Sequence, residues 1–244
     1  MRQLLDFTVV ENRKLALDTY LLSLAGDTSA LAAPGQFVNL EIPGYYLRRP
    51  LSVFDWAPGR LDLIYKVLGE GTRDLVQVRV GTTLSVLSGL GNGFHAAPAQ
   101  DPLIVGGGVG VVPLWALART LIEEGQSPTV IYGFNSAAEV ILVEETEALG
   151  ARVLVTTADG SVGTAGFVTA ALDQVPTADY LYACGPTPML QALTAATALP
   201  GQFSLEERMA CGFGACVGCV VSTRSGMSRV CKEGPVFTRE ELQW

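Results

Sequence analysis

Histidine is almost absent from this chain: His95 is the only one in 244 residues. That solitude excludes any two-histidine metal site. A lone loop histidine is more often solvated than catalytic, so no role attaches to it. Basic residues are scarce as well. Sixteen Lys and Arg face twenty-four Asp and Glu, a net charge of −8. Phosphate backbones demand clustered Lys and Arg, and no basic stripe interrupts the chain, so nucleic acid is excluded as a partner. The opening MRQLLDFTVVENRK is too polar for a secretory signal, which makes the cytoplasm the expected location. Long apolar runs are also missing. Pro102 to Ala118 is at the lower limit of spanning length and contains a glycine turn, while Tyr180 to Leu205 is broken by Pro186, Pro188 and Pro200. No membrane span is expected. What remains is 49% hydrophobic, enough for real cores in two ordinary domains.

Four of the five cysteines lie between 211 and 231. Cys211, Cys216 and Cys219 are spaced C-x4-C-x2-C, and Cys231 follows. This is the ligand pattern of a plant-type [2Fe-2S] cluster, which needs four thiolates around a compact core. Gly212, Gly214, Ala215 and Gly218 let the backbone wind closely and aim N–H groups at sulfur. A zinc site, disulfides or packed thiols are the alternatives. Zinc favours two C-x2-C-like pairs and the second is missing, while disulfides suit small secreted frameworks.

The first third shows short β-rich runs at Phe7–Val10, Thr19–Leu24, Gln36–Ile42, Leu51–Phe54 and Leu61–Leu68, parted by Pro34-Gly35, Pro43-Gly44 and Pro58-Gly59. Many short strands at this spacing predict an antiparallel barrel. Within it, Arg48-Arg49-Pro50-Leu51-Ser52 offers a guanidinium for a phosphate and a hydroxyl three residues on. An edge strand with exposed arginines is the plainer reading. Tyr65 of Ile64-Tyr65-Lys66 suits a flat ring, and the amides of Gly71 and Thr72 open a helix toward a diphosphate. Ser88 to Phe94 is expected to close the first domain as a glycine-rich turn.

From Asp101 the pattern changes. A strand at Leu103–Val105, a turn at Gly106-Gly107-Gly108-Val109-Gly110 and a helix from Pro113 to Leu121 begin an alternation that continues through 129–134, 137–149, 152–156, 165–172 and 180–184. It predicts a parallel sheet with helices on its faces. Ligands of such sheets bind at the carboxyl ends of the strands, so Gly106, Gly107, Gly108, Gly110 and the turn Cys184-Gly185-Pro186 fall where a dinucleotide lies. Val111 at the sixth position departs from G-x-G-x-x-G, and a glycine turn required only for packing is the alternative. No basic residue occurs between Arg119 and Arg152, whereas Glu123, Glu124, Glu139, Glu144, Glu145 and Glu147 do. An acidic surface repels a 2′-phosphate, which favours NAD over NADP.

RRPLS, IYKVLGEGT, GGG-x-G and CGP-x-P-M-L together resemble the ferredoxin reductase superfamily. That resemblance implies that Arg49, Pro50, Leu51, Ser52, Ile64, Tyr65, Lys66, Gly71 and Thr72 line FAD, with Arg49 on the diphosphate and Ser52 near the isoalloxazine. It implies further that Cys184 approaches the nicotinamide as a positional residue, with a buried structural cysteine as the bland alternative. Leu205 to Val221, containing ERMACGFGACVGC, and Val230 to Phe237 resemble more narrowly the electron transfer subunits of class 1B dihydroorotate dehydrogenase. The likeness covers essentially the whole chain. It implies a β barrel plus α/β architecture: an FAD-binding barrel over 1–97, an NAD-binding domain over 98–200, and a [2Fe-2S] segment over 201–244 with ligands Cys211, Cys216, Cys219 and Cys231. It also implies an FMN-containing catalytic partner, as a heterotetramer of two of each, that oxidises dihydroorotate for pyrimidine biosynthesis. Electrons pass from it through cluster and FAD to NAD+, and no catalytic acid or base is expected here. An NAD(P)H:ferredoxin-type reductase subunit is the rival, and a non-catalytic cluster-binding sensor or scaffold is a second.

Overall fold

Gln3 to Ala16 alternates along its middle between inward apolar and outward polar side chains, with Phe7 and Val9 fully buried between exposed neighbours. This is the signature of a strand with one wet face. In the computed structural model, which describes residues 2–244, this segment is β1 (Gln3–Ala16). It joins β2 (Thr19–Ala25), β3 (Phe37–Leu40), β4 (Arg49–Ala57), β5 (Arg60–Lys66) and β6 (Thr83–Leu90) in a closed antiparallel barrel, ordered β1-β2-β5-β4-β3-β6. A short helix, α1 (Glu70–Leu75), links β5 to β6 and buries Leu75 in the barrel core. Closure leaves no unpaired edge. The interior is filled by Phe7, Leu22, Leu24, Val38, Leu63 and Val86, each contributing about 1.5–3 kcal/mol by leaving water. The expected turn at 88–94 is corrected here: Ser88, Gly89 and Leu90 belong to β6, whose inward residues Leu84, Val86, Ser88 and Leu90 keep strict period-two burial.

The second half is a seven-stranded sheet ordered β10-β9-β8-β7-β11-β12-β15. Its strands are β7 (Pro102–Gly107), β8 (Thr129–Phe134), β9 (Arg152–Thr157), β10 (Thr164–Ala165), β11 (Tyr180–Cys184), β12 (Gly201–Ser204) and β15 (Val236–Thr238). All pairings are parallel except β12 with β15. Strands buried on both faces read as continuous apolar runs, as in Leu103-Ile104-Val105. The helices are α2 (Val111–Glu123), α3 (Val143–Ala148) and α4 (Thr187–Ala196). Two expected helices are shorter than the sequence pattern suggests. Over 137–149 only α3 and a 3-10 turn at Ala137–Glu139 form, because Ile141 and Leu142 tuck into the core and Leu142 takes a left-handed φ of 62°. Over 165–172 the helix is a 3-10 segment, Val168–Gln174. The boundary expected at 200 falls just before β12, which is a strand of the parallel sheet. Between β12 and β15 the chain leaves the sheet for the cysteine loop and the hairpin of β13 (Val220–Thr223) and β14 (Gly226–Arg229).

Barrel and sheet meet where β4 lies against α2. Phe54 packs on Trp115 at 4.7 Å, and Arg119 bonds Asp55 at 2.5 Å while lying over the Trp115 ring. A second tie joins Lys66 of β5 to Glu139 at 3.0 Å. Val236 and Phe237 are core residues of β15, while Trp244 rests edge-on against Phe203 at 6.3 Å. No helix among the described residues is long and apolar enough to cross a membrane.

Candidate functional site

The cleft between barrel and sheet holds a cavity of about 460 Å³. Its barrel wall is built from Arg49, Pro50, Leu51 and Ser52 on β4 with Ile64, Tyr65 and Lys66 on β5, and Thr72 of α1 lines it too. Of the residues expected around a flavin, Gly71 alone is not on the surface of this cavity. Its role is spatial, since a methyl group there would fall 2.6 Å from Arg49 Nη2. The two neighbouring arginines part company. Arg48 is occupied by Glu41 and by the carbonyl and hydroxyl of Ser85. Arg49 lies over the Tyr45 ring at 4.9 Å and donates to the Leu47 carbonyl. Among the described residues no carboxylate pairs with Arg49, so this cation at the cavity fits a phosphate anion. The Thr72 hydroxyl accepts from the amides of Leu68 and Gly69 at 3.0 and 3.2 Å, holding the turn that opens α1. Tyr65 is braced by a bond to Asn12 at 3.1 Å and by stacking on Tyr20 at 5.7 Å.

The opposite wall comes from the sheet: Val109, Val112, Cys184, Ser204 and the run Leu205 to Met209. Cys184 and Ser204 are paired across β11 and β12. Burial of Cys184 pushes its thiol well above the ordinary range, and Glu206 adds to this while the Ser204 hydroxyl opposes it. A neutral thiol is a poor nucleophile, so this position suits contact with a ring rather than covalent chemistry.

A second cavity of about 410 Å³ opens at the carboxyl ends of β7, β8, β9 and β11. Gly107, Gly108 and Pro186 line it, as expected of a dinucleotide site. Gly106, Gly110 and Gly185 do not. Gly110 is a packing residue, because a Cβ there would stand 2.4 Å from the Cys184 carbonyl oxygen. Gly108 adopts a φ of +54°, open to glycine at little cost. Sequence reasoning left several other lining residues unassigned: Asn135, Thr156, Phe167 and Met189. Glu139, noted only as part of an acidic stretch, also lines it, and its carboxylate accepts from Asn135 Nδ2 at 2.9 Å and from Lys66. Burial works against the charge of Glu139, but Lys66 and Asn135 outweigh it and hold the carboxyl below its ordinary range. Thr156 Oγ1 is buried without a partner, a group that a bound polar ligand would satisfy. Phe167 stands 75% exposed at the rim beyond Gly166. The two cavities adjoin across one turn, with Cys184 in the first and Pro186 in the second.

Met209 lines the first cavity, and Cys211 follows two residues later. The cysteine loop winds through left-handed positions at Gly212, Gly214 and Val217. It is pinned to the barrel by Asn39 Nδ2 donating to the Cys211 carbonyl at 3.2 Å and by Arg2 donating to the Phe213 carbonyl at 3.0 Å. Arg229 holds the Gly214 carbonyl at 2.7 Å. The thiols gather two by two. The amides of Ala215 and Cys216 point at Cys211 Sγ at 3.3 and 3.4 Å, and the Cys231 amide points at Cys219 Sγ at 3.4 Å. Burial pushes the Cys211 thiol up, but the amides of Cys216, Phe213 and Ala215 outweigh it and bring it down to about 6. Burial and the adjacent Cys219 push Cys231 up to about 12. Among the described residues no three metal-binding side chains converge on one point, as a mononuclear site requires. Pairs of thiols suit a dinuclear core, each iron taking two. Cys219 and Cys231 are buried whereas Cys216 is exposed, so the loop has an inner and an outer end.

Comparison with known proteins follows the same divisions. Residues 206–243 match the family described as the iron-sulfur cluster binding domain of dihydroorotate dehydrogenase B. Residues 104–195 match the oxidoreductase NAD-binding domain. The dihydroorotate dehydrogenase B (NAD(+)) electron transfer subunit of Fusobacterium nucleatum is 39% identical, covering 98% of both chains. Its counterpart in Geobacillus kaustophilus is 43% identical, covering 96% of both. Among solved structures, a chain from the NADH-dependent reduced ferredoxin-NADP oxidoreductase superposes with a TM-score of 0.89 at 32% identity, covering 98% of this chain and 90% of its own. A ferredoxin reductase of carbazole 1,9a-dioxygenase shares the fold, with a TM-score of 0.71 at 23% identity over 83% of this chain and 69% of its own.

Proposed function

The chain belongs to the dihydroorotate dehydrogenase B electron transfer subunits, and from that membership we propose that it carries electrons from a dihydroorotate-oxidising partner through a [2Fe-2S] cluster and FAD to NAD+. The observation that carries this reading is contiguity. The flavin cavity touches the nucleotide cavity across the Cys184–Pro186 turn, and its far wall runs through Met209 directly into the cysteine loop. Three cofactor sites therefore lie in series. A cluster passes one electron at a time and NAD exchanges two as hydride, so FAD, which does both, belongs in the middle.

In this reading Arg49 holds the diphosphate of FAD, and Pro50, Leu51, Ser52, Ile64, Tyr65 and Lys66 shape its cavity. Gly71 and Thr72 build the adjoining turn. Gly107, Gly108 and Pro186 contact NAD, while Gly106, Gly110 and Gly185 allow the strand ends to close up behind it. Cys211 with Cys216 and Cys219 with Cys231 are the iron ligands. The partner is an FMN-containing catalytic subunit, two of each chain forming a heterotetramer in the cytoplasm, where orotate formation feeds pyrimidine synthesis. Exposed Cys216, Phe213 and Val217 mark the end of the wire that faces this partner.

The test is co-expression with a dihydroorotate-oxidising flavoprotein subunit, purification of the complex, and an assay of NAD+ reduction driven by dihydroorotate. Dihydroorotate-dependent NADH formation is the expected result. A complex that oxidises NADH with ferredoxin but never turns over dihydroorotate would move the assignment to the ferredoxin-type reductases.

A further inference from the structure

Asn39 is a fully buried amide on the outer face of the barrel, and its side chain reaches the cysteine loop. We propose that Asn39 is a positioning residue for electron transfer, fixing the distance between cluster and flavin by fastening Cys211 to the strand that walls the flavin cavity. This rests on the FAD and cluster reading above.

β3 is four residues long and buried throughout. Val38 and Leu40 fill the barrel interior, so Phe37 and Asn39 share the outer face. Phe37 lines the first cavity. Asn39 stands opposite Pro50 of β4, which lines that cavity as well. From there Asn39 Nδ2 donates to the Cys211 carbonyl at 3.2 Å. The loop comes this close because Gly212 follows, with a φ of +74° and no side chain; a Cβ there would fall 2.5 Å from Asn39 Nδ2. One short strand thus walls the flavin cavity with one side chain and holds a cluster ligand with the next on the same face.

Packing alone does not account for an amide here. Asn39 Oδ1 is buried without a hydrogen-bond partner, a net cost to folding that valine or leucine would avoid. Turning the amide over would set Oδ1 against the Cys211 carbonyl oxygen and lose the bond. What the residue supplies is the donor. Among the described residues one other hydrogen bond joins 206–219 to the barrel, from Arg2 to the Phe213 carbonyl, and Arg2 is exposed. Arg229, which holds the Gly214 carbonyl, lies on β14 within the same excursion and moves with it. Electron transfer falls steeply with the distance between donor and acceptor, so a ligand held by its own carbonyl to the cavity wall keeps that rate constant. Sequence inspection offered no signal for this role, because Asn39 reads only as a polar residue inside the Gln36–Ile42 run.

The experiment uses the full chain purified with cluster and flavin, mixed with NADH in stopped flow while flavin and cluster absorbance are followed separately. Two variants err in opposite directions in packing. Asn39→Leu fills the space with apolar atoms; Asn39→Ser leaves a gap, and its hydroxyl is one bond too short to reach the carbonyl. In both, flavin bleaching stays within about twofold of the wild type, while cluster bleaching, which keeps pace with the flavin in the wild type, lags by about tenfold or more. Cluster content and reduction potential stay at wild-type values, since no ligand is changed. Hydrogen exchange in the same preparations gives an independent readout. Amides over 211–216 exchange about fivefold faster, the loss of one hydrogen bond, while β3 and β4 keep their protection. A residue that served only barrel stability would instead loosen β3 and β4 and slow both bleaching steps together. The proposal is overturned if cluster reduction keeps pace with the flavin in both variants, if the two steps slow equally, if both variants lose the cluster, or if exchange over 211–216 is unchanged. A wild-type chain whose cluster NADH never reduces would bring down the relay reading and this role together. A working wild-type relay that both variants leave intact brings down the role of Asn39 alone.

Discussion

Gly110 sits where the flavin and nucleotide cavities adjoin, and Gly110→Ala tests whether that junction governs hydride transfer. A Cβ at this position would lie 2.4 Å from the Cys184 carbonyl oxygen, 2.7 Å from its carbon and 2.7 Å from Gly185 Cα. All three are backbone atoms, so no side chain can rotate aside. The closest approach is about 1 Å short of ordinary contact, and the Cys184–Pro186 turn must retreat from the glycine turn by a comparable distance. Overpacking of this kind costs about 1–3 kcal/mol, a fall of roughly 2–12 °C in melting temperature for a chain of this size. The functional loss is larger. A displacement near 1 Å between reacting groups costs about 100-fold in rate, so flavin bleaching by NADH in stopped flow falls by about that factor. Flavin content and the cluster's electron paramagnetic resonance signal persist, since neither Arg49 nor the cysteine loop touches this turn. A variant that melts several degrees lower yet transfers hydride at the wild-type rate would refute the idea that the shared turn sets the flavin–nicotinamide distance.

Two further perturbations address the remaining joints. Cys219→Ser removes a buried ligand and eliminates the cluster signal, while reduction of FAD by NADH proceeds at nearly the wild-type rate; loss of both would contradict a modular relay. Lys66→Met, Glu139→Gln and the double variant form a thermodynamic cycle across the barrel–sheet interface, with a coupling energy of about 1 kcal/mol by urea denaturation. Because Lys66 and Asn135 depress the Glu139 pKa, that coupling is fully present above the unfolded value, ordinarily 4.5, and is lost as pH falls through the lower folded value. A cycle whose coupling energy is the same at pH 7 and at pH 3 would rule out the ion pair.

The parts of the molecule visible in the sequence are those whose signals are local. C-x4-C-x2-C is a matter of spacing, and β4 and β5 declare themselves by β-branched and aromatic runs between Gly and Pro. The glycine turn after β7 was visible too, but not which glycines touch the nucleotide cavity and which serve packing, because Gly107 and Gly110 differ only in what stands opposite them. The same holds for Arg48 and Arg49: Arg48 lies just before β4 and is taken up by Glu41 and by Ser85 of β6, two strands away, while Arg49 opens β4 on the cavity. Thr156 and Phe167 carry no motif and enter the site only when separate strand ends and loops are brought together, and Met189 belongs to CGP-x-P-M-L without the motif showing that it faces the cavity. Over 137–149 a left-handed Leu142 and a core-directed Ile141 override a polar and apolar pattern that suits a longer helix.

The excursion over residues 205–235 begins and ends on a single hydrogen-bonded pair of strands, with Ser204 opposite Val236. In polymer terms it is a loop closed at its neck, and the entropy of closing such a loop rises only with the logarithm of its length, about 0.6 kcal/mol for each doubling. Loop closure therefore sets little constraint on its length; the constraint lies at its two ends, where Leu205 to Met209 wall the first cavity and Val230 and Cys231 are buried in the core, so it is the exposed tip at β13 and β14 that can be lengthened or shortened at least cost to the frame beneath.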